Sequence, residues 1–87
     1  MQVTGVRGVV KVGPHVAASL ISWSLETVAP EQYEFTGRLT AVDRFWITQH
    51  PQELRLNVGA STWIVRGVLL NVAGDHATAC VPRPERV

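Results

Sequence analysis

Sulfur chemistry is nearly missing from this chain: Cys80 is its only cysteine, and one cysteine cannot close an intramolecular disulfide. That excludes a small secreted scaffold held together by bridges. Long apolar runs are also missing, since none approaches the ~18 residues a membrane span needs. The opening MQVTGVRGVV places glycines and Arg7 where a signal peptide would carry an unbroken apolar core, so an intracellular or particle-bound protein is expected. Neither sign of charge dominates. Eight basic residues against seven acidic give a net charge of +1, so composition announces no polyanionic partner. There is no low-complexity tract and no internal repeat. With 87 residues the chain makes one domain, 1–87, because so short a chain cannot divide into two cores.

The most informative stretch is Glu53 to Val81, which reads as a three-stranded meander. Leu54, Leu56 and Val58 alternate with Arg55 and Asn57, the period of a strand with one buried face. Gly59-Ala60-Ser61 provides a tight connection. Trp63 and Val65 then share one parity, whereas Val68, Leu70 and Val72 take the other. A β-bulge at Arg66-Gly67 produces such a frame shift, and glycine permits it at least cost. The turn Ala73-Gly74-Asp75-His76 leads into a returning strand over Ala77–Val81.

Upstream, residues 1–8 form an amino-terminal arm or edge strand, and Val9–Val12 a short strand ended by Gly13-Pro14. The segment His15–Glu26 admits two readings. A helix would line up Val16, Leu20 and Trp23, while a strand over Ala18–Glu26 puts Ile21, Trp23 and Leu25 on one face. The serines at alternate positions favour the strand. Thr27–Gln32 is a connection built on Ala29-Pro30. Tyr33, Phe35, Leu39 and Ala41 alternate with polar residues along a strand bent at Gly37; Asp43-Arg44 interrupts it, and Phe45-Trp46-Ile47 continues as apolar sequence. Gln49–Gln52 is a loop. Residues 82–87, with Pro82 and Pro84, lie outside any strand pattern as an extended tail. The fold class expected is all-β, a small sandwich or barrel of six to seven short antiparallel strands. Its core would centre on Leu54, Leu56, Val58, Val65, Val68, Leu70 and Val72, opposed by Ile21, Trp23, Phe35 and Leu39.

Catalytic chemistry finds little support. His15, His50 and His76 stand beside turn residues without the close pairing of zinc ligands, so they read as surface histidines and no metal or cofactor is expected. Cys80 has no base placed to activate it and reads as a small buried thiol. Asp75 is a turn aspartate, and Glu34 and Asp43 form no catalytic pair. No glycine-rich phosphate loop is present. The expectation is therefore not an enzyme. Two binding readings remain. One is assembly: edge strands and extended ends are templates for neighbouring chains, and Val3, Val6, Arg7, Pro82, Arg83, Pro84 and Arg86 are the contact candidates. The alternative is a single-stranded nucleic-acid module of the OB kind, using Trp46, Trp63, Arg44 and Arg66. Near-neutral charge, with glutamates in the same segments, places it second.

The run LRLNVGASTWIVRGVLLNVAGDHATACV resembles the hairpin-rich small proteins of tailed phages that infect actinobacteria, in an LxLxVGxxxW…VxxxVxGDxxxAxV style of strand and turn. The resemblance covers about the last third of the chain and carries over no functional residue. It implies a structural virion component present in many copies, assembled in the host cytoplasm through self-association and contact with other structural proteins, without an enzymatic site.

Overall fold

The computed structural model describes residues 2–86, except for the side chains of residues 48 and 49. Met1 and Val87, which the expected arm and tail included, lie outside the described residues. The class is all-β. Nine strands form one antiparallel sheet: β1 (Gln2–Gly5), β2 (Gly8–Val12), β3 (His15–Ala29), β4 (Gln32–Thr40), β5 (Gln52–Val58), β6 (Ser61–Val68), β7 (Asn71–Ala73), β8 (His76–Pro82) and β9 (Glu85–Arg86). Their order is β7-β8-β4-β3-β2-β5-β6-β9, with β1 also beside β3. The count exceeds six to seven because both termini join the sheet and the long second strand of the expected meander divides in two.

Chain connectivity requires the sheet to roll. Leu69-Leu70 alone carry the chain from β6 to β7, and Arg83-Pro84 alone from β8 to β9. Each crossing spans at most roughly 10 Å. Six strand spacings separate the same strands in the sheet order, roughly 29 Å if flat. The sheet therefore curls until its ends face each other, leaving a seam between β6 and β8 that no ladder closes.

Strand β3 drives much of this curvature. It was expected to begin at Ala18, and its helical alternative does not form: it is strand throughout, with one extra residue at each of three register shifts. Ala17 is extra against β2, and Ile21 and Val28 are extra against β4. Each bulge bends and twists the strand. The shift at Ile21 reverses parity, so Leu20, Trp23 and Leu25 are buried while Ile21 stays 47% exposed, outside the core assigned to it. The connection expected over Thr27–Gln32 shrinks to Pro30-Glu31, since Ala29 already pairs with Gln32. Gly37 is not a bend. It lies in register between Trp23 and Ala77, where a Cβ would come within 2.7 Å of the Phe35 ring.

The bulge on β6 is where the sequence places it. Gln52 faces Val68 and Leu54 faces Val65, so Arg66 and Gly67 together oppose Glu53. Gly67 has φ of 69°, a left-handed backbone that a side chain would strain. Beyond Val68 the chain leaves β5, and Asn71–Ala73 pairs with β8 instead. Leu70 and Val72 are accordingly only half-buried against the core, as is Val58 at the β5–β6 turn. That core comprises Val10, Ala17, Ala18, Leu20, Trp23, Leu25, Phe35, Leu39, Ile47, Leu54, Leu56, Val65, Val68, Ala77 and Val81.

Three further expectations are corrected. Phe45-Trp46-Ile47 is not strand but the middle of a short helix, α1 (Arg44–Gln49), which buries Ile47 and leaves Phe45 63% exposed. The tail is not free, because β9 pairs with β6 through Trp63–Arg86 and Ile64–Glu85. Cys80 is exposed rather than buried: it shares a parity with Thr78, and the core takes Ala77 and Val81. Among the described residues, no helix is long and apolar enough to cross a membrane.

Candidate functional site

The seam is where the fold brings candidate residues together. Tyr33 on β4 and Trp63 on β6 form aromatic walls, and Arg83, Pro84 and Arg86 cross over them. These five line a groove of about 340 Å³. The Arg86 guanidinium lies 5.6 Å from the centroid of the Trp63 ring, within reach of a cation–π attraction. Arg83 Nη1 is 3.5 Å from Glu31 Oε1 in a solvent-exposed pair. The Trp63 indole N–H is buried without an acceptor, the one such side-chain polar atom among the described residues. Leaving it so costs about 1–3 kcal/mol.

Beside the groove, charges hold the tail in place. Glu53 accepts from Arg55 Nε at 2.7 Å and faces Arg66 Nε at 3.4 Å, and Arg66 also pairs with Glu85 on β9. The hydrogen bond from Arg55 holds the Glu53 carboxyl below the usual glutamate range; desolvation opposes this, and the positive charges of Arg55, Arg66 and Lys11 reinforce it. Arg66 is thus committed to two carboxylates rather than offered to a polyanion.

The other nucleic-acid candidates lie elsewhere. Trp46 on α1 packs between His15 and His50, with ring centroids 4.9 and 5.2 Å away, and Phe45 meets it edge-on. His15 Nε2 lies 3.2 Å from Asp43 Oδ2, so Asp43, at the helix N-cap position, uses its side chain on the histidine rather than on the helix. Arg44 donates to the Gly74 carbonyl. The structure therefore splits Trp46 and Arg44 from Trp63 and Arg66. It also divides the assembly candidates: Arg83, Pro84 and Arg86 line the groove and Pro82 ends β8, whereas Val3 packs half-buried along β3. Val6 and Arg7 lie in the break between β1 and β2, where Val6 is 74% exposed and the Arg7 carbonyl accepts the Trp23 indole N–H at 2.8 Å.

A larger, shallow concavity of about 670 Å³ lies where β1, β3, β4 and β8 adjoin, lined by Thr4, Ser22, Ser24, Thr36, Arg38 and His76 among others. Its arginine is occupied, since Arg38 Nε donates to Asp75 Oδ2 at 2.9 Å, the bond that lowers the Asp75 carboxyl below its usual range. A third depression of about 340 Å³ follows the β6–β7 crossing, lined by Arg44, Ile47, Leu69, Leu70, Asn71 and Val72. Strand β7 beside it has β8 on one side and no strand on the other among the described residues.

Cys80 lies on β8, on the outer face of the sheet. It faces Glu34, which in turn faces Glu26, and all three are exposed. Sequence reasoning left Tyr33 out of the candidate set and missed Gln52, the one buried polar side chain among the described residues. The Gln52 amide donates to the Ile47 and His50 carbonyls and accepts from Leu70 N–H at 3.0 Å, so it holds α1 to the β6–β7 crossing. A local pattern of Pro51-Gln52-Glu53 carries no sign of that role. No family model, no curated protein and no solved structure matches this chain.

Proposed function

We propose that the protein is a non-catalytic assembly subunit that associates with a second copy of itself by strand addition at β7. The observation that carries this reading is the unpaired outer edge of Asn71–Ala73, flanked by Leu69, which is 72% exposed, and by the depression along the crossing. An open strand edge presents unpaired backbone donors and acceptors to another chain, and the adjacent hollow, lined by Ile47, Leu69, Leu70 and Val72 together with Arg44 and Asn71, offers room for its side chains. Two such edges brought together antiparallel are self-complementary about a two-fold axis. The terminal segments expected to cross to neighbours are paired within their own sheet, which moves the docking edge to β7. The resemblance of residues 54–81 to small phage structural proteins supports a role in many copies, with assembly into a virion in the host cytoplasm as its setting.

Light scattering over a range of concentrations tests the association. The wild-type chain is expected to reach a defined dimer mass, and Leu69→Lys, which alters an exposed side chain beside the edge, to remain monomeric with an unchanged melting temperature. A wild-type monomer at every concentration removes self-association through β7.

A further inference from the structure

We infer that the seam groove binds a nucleotide, either free or as the end of a single strand. Its lining is two arginines, two aromatics and a proline, with no carboxylate, in a molecule whose overall charges nearly cancel. This is the composition that a flat aromatic base joined to a phosphate requires. Tyr33 and Trp63, both half-buried, are the stacking surfaces of the inferred site, Trp63 once Arg86 leaves the ring it lies over, and stacking tolerates any base because every base has a π-face. Arg83 and Arg86 supply planar donors that match phosphate oxygens in pairs. Among the described residues, Glu31 is the carboxylate that pairs with one of these arginines, Arg83. Its bond to Arg83 is an exposed ion pair of the kind that contributes little, so a phosphate displaces it readily.

The Trp63 indole N–H points independently to an incomplete site. Trp23 gives its own N–H an acceptor in the Arg7 carbonyl, whereas the Trp63 N–H has none. A buried donor without a partner calls for an explanation, and a ligand acceptor reaching it as Arg86 shifts off the ring would supply one. The residues differ from the set suggested by the sequence. Trp63 is retained, Tyr33, Arg83 and Arg86 join it, and Arg44, Trp46 and Arg66 are engaged elsewhere. The site is separate from β7, so its test is independent of the association experiment.

The experiment follows the tryptophan indole N–H resonances while the full chain is titrated with adenosine monophosphate, with adenosine and inorganic phosphate in parallel. The Trp63 signal, assigned through Trp63→Phe, is expected to move while that of Trp23 stays in place. Binding should weaken with added salt and fall about tenfold in Arg83→Ala, the loss of one charge-assisted contact. Arg83 is exposed, so an unchanged melting temperature verifies the fold of that variant. A short single-stranded oligonucleotide distinguishes the sources: tighter binding than the mononucleotide assigns strand ends, and equal or weaker binding assigns free nucleotides. No movement of the Trp63 signal with either ligand at millimolar concentration overturns the inference. So does equal binding by Arg83→Ala, or phosphate alone binding as well as the mononucleotide.

Discussion

Burying Gln52 removes a primary amide from water, and the fold compensates by surrounding it with backbone groups at a helix end and a strand crossing. Gln52→Leu keeps comparable bulk but leaves the Ile47 and His50 carbonyls and the Leu70 N–H without that amide. A loss of about 2 kcal/mol is expected. Thermal unfolding should show it as a drop of roughly 8–16 °C for a domain of this size. Gly5 illustrates a different constraint, one of space. A Cβ there would lie 2.5 Å from the Trp23 ring, on the same edge whose N–H reaches the Arg7 carbonyl across the break between β1 and β2. Gly5→Ala should displace the indole and cost about 1–3 kcal/mol by overpacking. A shifted Trp23 N–H resonance together with a lower denaturant midpoint would verify it; an unmoved resonance would show that β1 yields instead.

At the scale of elements, legibility followed regular alternation. Leu54, Leu56 and Phe35 with Leu39 were readable because their strands keep one period, and Gly67 marked its own bulge by breaking one. Gly67→Ala places a Cβ on a left-handed backbone and should cost about 1–2 kcal/mol, read as a fall in the denaturant midpoint at unchanged slope. By contrast β3 hid its pattern, because the extra residues Ala17, Ile21 and Val28 interrupt the register where no glycine signals them. Phe45-Trp46-Ile47 looked like strand since three apolar residues have no period of their own. Only the helix burying Ile47 beside Gln52 decides between the two. The groove was half legible: Trp63 drew attention as an aromatic and Arg83, Pro84 and Arg86 as parts of the extended tail, while their meeting with Tyr33 depends on the roll of the sheet. Nothing local could say that β4 and β6 would meet.

For the whole molecule, acid is the natural probe of the tail. The folded-state pKa of Glu53 is lowered, chiefly by its bond from Arg55, so its stabilisation is fully present above the ordinary glutamate value of about 4.3. It is lost as the pH falls through the lowered folded value. Protonation also weakens the hold on Arg66, which links β6 to Glu85 on β9. Protection of the Glu85 and Arg86 amides against hydrogen exchange, taken relative to the intrinsic rate at each pH, should therefore fall on acidification in the wild type, and Glu53→Gln should already show the lower protection at neutral pH. A flat acid profile would mean that the backbone pairing alone retains the tail.

The two short crossings that roll the sheet also set an order in time. The β3–β4 hairpin closes over Pro30-Glu31 alone and can form on the microsecond scale of hairpins. Strand β8 must find β4 about forty residues back, a search in which loop-closure entropy is met before any contact compensates for it. Stopped-flow fluorescence of Trp63→Phe and Trp23→Phe should then report Trp23 reaching its native environment before Trp63. Until β8 arrives, β4 is an open edge in a nascent chain, and that interval is when the protein is most exposed to pairing with the wrong neighbour.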